Sequence, residues 1–209
     1  MPLSLPNGTV CVVVRHGRTT LNASNSFRGN VDPELDSVGI KQAEDLAKLL
    51  SDTPLSVIFT SDKQRATKTA EIIAKGREIP VRQVACLRAL DVGQLSGQKR
   101  TPENVAFLQH YLDHPECQIP GGESLNEFRA RVDPCLQSAV ELFMQCGVPP
   151  MVVAHNSVVR EVGTVIYGSH KKVLVEPGGA VVICFQNGVF TAQAIHRPMV
   201  AKSKTDTIS

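Results

Sequence analysis

The sequence predicts an α/β fold: a three-layer α/β/α sandwich with a mainly parallel central sheet and a small cap insertion. Three observations lead there. Short apolar runs recur along the chain, as strands buried on both faces of a parallel sheet do. Amphipathic helical stretches separate them, the usual connection between parallel strands. An Asn-Gly pair near the end marks a hairpin.

The elements follow in order. "TVCVVV" (9–14) is continuous, β-branched and apolar, hence a buried strand. From Asp36 to Leu50, the apolar residues Ile40, Ala43, Leu46, Ala47 and Leu50 fall on one helical face. "PLSVIFT" (54–60) is a second buried strand. "SDKQRATKTAEIIAK" follows as a helix, with Ser61 and Gln64 in capping-box spacing. "IPVRQVACL" (79–87) reads as a third strand. Ser124 and Glu127 form a second capping box before a long helix striped by Leu125, Phe128, Val132, Leu136, Ala139 and Phe143. "PPMVVAH" (149–155) is a fourth strand and runs into helical "NSVVREVGTVIYG". "GAVVICFQNGVFTAQAI" gives two strands around Asn187-Gly188. Residues 93–122 break the alternation: they are polar, hold three prolines, and read as a lid inserted into one domain spanning 1–197. The polar tail 198–209 is expected to be disordered.

Composition excludes several functions. The 209 residues are 42% apolar, enough for a sizeable core. The net charge is +2 with both signs scattered, which argues against nucleic-acid or membrane-surface binding. Trp is absent and Tyr occurs twice, so no aromatic platform for bases is expected. No stretch approaches the ~18 apolar residues of a membrane span. "MPLSLPNG" lacks the basic start and apolar region of a signal peptide. None of the six cysteines forms a CxxC pair or a zinc spacing, so reduced structural thiols in a cytoplasmic protein are expected. A compact anionic partner, and a homodimer, remain compatible with all of this.

Three strand ends carry the chemistry: Arg15-His16-Gly17, Ser61 through Arg65, and His155-Asn156-Ser157. Ligands of such folds bind beyond the carboxyl ends of the strands. A helix N-terminus there supplies free N–H groups, and two arginines supply planar forks for phosphate oxygens. Two histidines can divide the work, one attacking while neutral and the other donating to an oxygen that gains charge. The combination suits phosphoryl transfer through a phosphohistidine. No P-loop or nucleophile-elbow motif competes with it.

The segments "VVVRHGRTTLN", "DPELDSVGIKQA", "IFTSDKQRATKTAEII", "PGGESLNEFRARV" and "VVAHNSVVR", in that order, resemble the histidine phosphatase superfamily, the phosphoglycerate-mutase-like proteins, in its phosphatase-rich branch 1. The resemblance extends to about Arg197. It implies a metal-independent phosphoric monoester hydrolase of the histidine acid phosphatase type, with no metal and no organic cofactor. It implies that His16 is the phosphorylated nucleophile and that Arg15 and Arg65 bind the phosphoryl oxygens. His155 would complete the pocket, and Asn22 and Asn156 would join it as ligands. Gly17 would bring a backbone carbonyl to the far ring nitrogen of His16.

The sequence departs from the pattern in three places. Ala89 stands where the family carries its proton-donating Glu. Asp91 lies two residues on, on the same face if the segment is extended, and is the candidate general acid against a capping aspartate. Asn156 occupies the position at which the superfamily's other branch carries an Asp donor. Arg18 replaces the usual Glu or Gln; with Lys99 and Arg100 it suggests a small phosphorylated substrate bearing extra negative charge. The alternatives are a phosphate-binding pseudo-enzyme lacking its acid and a phosphoglycerate-type mutase. The short insertion favours hydrolysis over the latter.

Overall fold

The computed structural model of the protein describes residues 3–29, 31–169 and 173–196. The tail expected to be disordered lies outside them. A six-stranded sheet is built from β1 (Thr9–Arg15), β2 (Ile58–Thr60), β3 (Val81–Gln83), β4 (Met151–Ala154), β5 (Ala180–Gln186) and β6 (Val189–His196), in the order β3-β2-β4-β1-β5-β6. The first four are mutually parallel; β5 and β6 join antiparallel. The sheet is therefore mostly parallel, and Asn187 and Gly188 turn the β5–β6 hairpin with φ of 51° and 79°, as a type I′ turn requires.

Among the described residues there are six helices: α1 (Thr20–Ala23), α2 (Ser37–Leu49), α3 (Gln64–Ala74), α4 (Pro102–Asp113), α5 (Leu125–Cys146) and α6 (Asn156–Tyr167). Alternate residues of β1 serve two cores, as a period of two dictates. Val13 packs with Val152, Phe128 and Val158 under α5 and α6. Val12 and Val14 pack with Val153, Leu46 and Ala66 under α2 and α3. Register fixes the site: Arg15 pairs with Ala154, and Val14 and Thr60 both face Val153. The residues that follow β1, β2 and β4 thus emerge at one level along a single edge.

Several local expectations are corrected. Ile40 is 38% exposed, and the buried residues of α2 are Gly39, Gln42, Ala43 and Leu46. The helix is rotated because Gly39 lies against the backbone of Arg18. The third strand is only Val81–Gln83; Ala85–Leu87 is a 3₁₀ turn. Its Cys86 is bonded to Cys135 of α5, with Cα atoms 6.7 Å apart, so two of the six thiols are not reduced. Pairing across 49 residues leaves no local spacing signal, and the expectation of a cytoplasmic location loses the support of six free thiols. The Ser124–Glu127 capping box forms, but the one expected at Ser61 does not: α3 starts after Lys63 without a side-chain cap. Residues 93–122 hold a helix that the polar composition concealed, α4, capped by Thr101 with Pro102 in its first turn. Among the described residues, no helix is long and apolar enough to cross a membrane.

Candidate active site

His16 leaves β1 with its N–H donating to the Ala154 carbonyl at 2.9 Å, which ties it to β4. Gly17 follows and donates its N–H to Thr69 Oγ1 at 3.1 Å. A Cβ on Gly17 would stand 2.4 Å from the Gly39 carbonyl oxygen, so the loop rests on α2 backbone to backbone. His16 Nδ1 lies 2.7 Å from the Gly17 carbonyl oxygen. A carbonyl only accepts, so Nδ1 carries the proton and Nε2 keeps its lone pair. His16 is 1% exposed. Burial, and then the charges of Arg65 and its neighbours, hold its pKa well below the ordinary imidazole value. The ring is neutral, with Nε2 unprotonated.

Three groups border the same cavity as that ring. The ring of His155, which opens α6, is 5.2 Å from that of His16 between centroids. Its Nε2 meets Ser61 Oγ at 2.9 Å, while Nδ1 is buried without a hydrogen bond. Burial, with Arg65 and Arg28 nearby, likewise lowers its pKa well below the usual value. No side chain caps α6, so its first N–H groups remain available to an anion. Arg65, in the first turn of α3, is fully buried. Nη1 donates to the Val31 carbonyl and to Asp32 Oδ1 at 3.0 and 3.2 Å. Its Nε and Nη2 are buried and make no hydrogen bond among the described residues. Burial brings its pKa down to about 10 against the pull of Asp32. A buried guanidinium with two idle nitrogens is costly unless an anion meets them.

His16, Arg65, His155 and Asn156 border one cavity. Arg15 borders an adjoining depression and reaches the cavity rim through Asn156, whose Oδ1 accepts from its Nη1 at 3.2 Å. Its Nη1 also donates to the Val175 carbonyl at 2.7 Å, and its buried Nε makes no hydrogen bond. Burial first, then Arg28, bring its pKa to about 9, with Glu176 opposing. Val105, Leu108, Gln109 and Leu112 of α4 also line the cavity.

Asn22 does not join the histidines. Its Oδ1 accepts from the N–H and hydroxyl of Thr19 at 3.1 and 2.9 Å, forming the capping box of α1, and it borders only the adjoining depression. Asp91 does not border the cavity either, although Ala89, Leu90 and Val92 do. The segment is a turn rather than a strand, so the two-residue shift does not preserve its face. Asp91 Oδ1 accepts the Gly93 N–H at 3.0 Å, the role of a capping aspartate. Arg18 pairs with Asp36 at 2.8 Å, and Lys99 donates to the Ser24 carbonyl at 2.9 Å. Of the three cations singled out from the sequence, Arg100 alone borders the cavity, with its guanidinium 4.4 Å over the ring of Phe27.

Several contributors carried no motif. Arg28 and Arg160 border the cavity without any ion pair among the described residues. Glu161 is the sole carboxylate among the lining residues; it is buried, 3.1 Å from Arg129 Nε, and burial raises its pKa. Its signal was available: an acid set within the valine stripe 158, 159 and 162. Arg131 donates to the carbonyls of Cys86, Arg88 and Ala89 at 2.8, 2.9 and 2.8 Å, which holds the wall containing Ala89. Among the described residues, no group of three or more His, Cys, Asp or Glu could hold a metal ion.

Comparison with known proteins agrees with this geometry. The probable phosphoglycerate mutase GpmB of Yersinia enterocolitica is 35% identical over 148 residues, covering 69% of this chain and 68% of its own. A putative α-ribazole-5′-phosphate phosphatase of Escherichia coli superposes with a TM-score of 0.75 at 22% identity, covering 90% of this chain and 96% of its own. A mycobacterial glucosyl-3-phosphoglycerate phosphatase, solved with VO3, gives a TM-score of 0.75 at 22% identity, covering 91% and 100%. The two structures share the fold. The model of the histidine phosphatase superfamily (branch 1) matches residues 11–194, and with nearly the whole described chain inside that match, the protein belongs to this family.

Proposed function

We propose that the protein is a phosphatase that needs no metal and hydrolyses a small phosphomonoester through a phosphohistidine on His16. One observation carries the reading: a neutral imidazole with its Nε2 lone pair free faces a second imidazole 5.2 Å away, beside a buried guanidinium with two unbonded nitrogens. Nε2 attacks phosphorus as the bond to the leaving oxygen breaks. Arg65 and Arg15 take up the charge on the phosphoryl oxygens, and the Gly17 carbonyl stabilises the imidazolium through its Nδ1–H. Water then attacks the phosphohistidine, inorganic phosphate leaves, and His16 returns to its neutral form.

The leaving group receives no carboxylic acid from Ala89 or Asp91. General acid catalysis is worth about 10²–10⁴-fold. With Glu161, the one carboxyl among the described lining residues, engaged by Arg129, the substrates favoured are those whose leaving group departs without a proton, such as aryl, acyl or phosphohistidine groups. Arg28, Arg100 and Arg160, none ion-paired among the described residues, support a substrate with negative charge beyond the transferred group.

The test is release of p-nitrophenol from p-nitrophenyl phosphate in EDTA, with His16→Ala alongside. Release that requires His16 is expected, with phosphorus trapped on nitrogen by rapid quench. A phosphate-binding protein without turnover is the second reading, favoured by Ala89. Absence of release at every pH, with phosphate still bound, would establish it.

A further inference from the structure

Ser61 is buried at the end of β2, and the position of its hydroxyl is fixed on every side. Its N–H donates to the Val153 carbonyl at 3.0 Å, joining it to β4 two residues before His155. Its own carbonyl accepts from the hydroxyls of Thr60 and Thr67, each at 3.1 Å. The oxygen of its side chain already accepts the Lys63 N–H at 3.4 Å. Among the described residues, the hydroxyl proton then has one acceptor within reach, His155 Nε2 at 2.9 Å. The sequence places Ser61 where a helix cap is expected, yet α3 begins without one.

We propose that Ser61 is a positioning residue that sets the tautomer of His155: its hydroxyl donates to Nε2, and this leaves the single ring proton on Nδ1, which donates to the bound phosphoryl group. The opposite tautomer would bury a hydroxyl proton without an acceptor. It would also turn the Nδ1 lone pair toward anionic oxygens, and both are unfavourable. Nδ1 is buried and has no partner among the described residues, as a donor kept for a ligand should be. The two histidines then carry the same tautomer to opposite ends. In His16 a carbonyl takes the Nδ1 proton and bares Nε2 for attack; in His155 a hydroxyl takes the Nε2 lone pair and frees Nδ1–H for donation.

The inference deepens the phosphatase reading and rests on it for the anion that Nδ1 meets. The experiment is nitrogen-detected NMR of ¹⁵N-histidine-labelled protein, with the His155 signals assigned by their loss in His155→Asn. The wild type is expected to show His155 protonated on Nδ1. Ser61→Ala is expected to shift the ring toward a mixture of tautomers. It should also lower kcat on an aryl phosphate about tenfold, with KM within about twofold, because the donor is misdirected rather than removed. Ser61→Cys, a weaker donor, should fall between. A wild-type ring protonated on Nε2 would overturn the proposal, and so would a Ser61→Ala protein with tautomer and kcat unchanged. The wild-type spectrum needs no variant to fold. If the wild type turns over no aryl phosphate, the phosphatase reading fails while the spectrum still decides for Ser61.

Discussion

The two walls of the cavity are built on different principles. The phosphate wall comes from the adjacent ends of β1, β4 and β2, in register, with His16, His155 and Arg65 all buried. The other wall, residues 89–112, is a turn, a 3₁₀ segment and α4 between sheet elements; Arg131 holds its start through the Ala89 carbonyl. In the proposed mechanism the first wall carries the chemistry and the second meets the leaving group, and it is in the second that Ala89 stands in place of an acid. On that mechanism reactivity rests on strand register, and selectivity on a loop.

The contrast can be broken at five points, from the largest expected effect to the smallest. His16→Ala should lower kcat/KM for an aryl phosphate by about 10⁴-fold or more, since the variant loses the group proposed to attack phosphorus; steady-state release measures it. Arg65→Met should lower kcat/KM by about 10²–10³-fold. It should also raise the Tm of the free protein, because an apolar chain replaces a buried, half-bonded guanidinium; inorganic phosphate should raise the Tm of the wild type and not of this variant. Ala89→Glu should restore a proton donor and raise turnover of an alkyl phosphate by about 10–100-fold, with little change on the aryl substrate. Equal effects on both would show that the selectivity of the loop wall lies elsewhere. The smallest change in rate belongs to Asp91→Asn, which keeps an acceptor for the Gly93 N–H: less than about threefold, and equal on aryl and alkyl phosphates.

The fifth point is pH. Both histidines hold pKa values well below the ordinary 6.5, so the unfolded chain binds more protons than the native one beneath that value. Their contribution to stability is complete above pH 6.5 and is lost as pH falls below it. Activity should persist below the usual imidazole titration, because Nε2 of His16 stays unprotonated. A pH–rate profile with its acid limb near 6.5 or higher would contradict the burial argument, and so would a Tm that does not fall in acid.

The strand-borne wall was the legible one. His16, Arg65 and His155 sit where apolar runs stop, and β-pairing brings such positions together without further information; Arg15, expected with them, borders the adjoining depression. The loop-borne wall was not. Asp91 was expected to keep the face of an extended segment, but the chain turns at Val92 and the carboxylate caps the turn. Arg28, Arg160 and Glu161 became visible only when folding enclosed them, because a charge reads the same on a solvated face as in a cavity. Asn22 and Ser61 form an instructive pair. Asn22, expected at the phosphate, caps a helix, whereas Ser61, expected to cap a helix, meets His155. Capping and ligand binding use the same short polar side chains, and spacing alone does not separate them.

The contact of Gly17 with Gly39 has one more consequence. Main chain meets main chain there, and a methyl group on Gly39 would fall 2.0 Å from the Arg18 carbonyl oxygen. The position of His16 is thus set by a close main-chain contact that only glycine allows on either side, with the Thr69 hydroxyl holding the Gly17 N–H. Evolution, or a mutagenesis library, can redecorate positions 18, 28, 89 and 100 for new substrates while His16 stays still; the freedom of the rim depends on two residues that allow none.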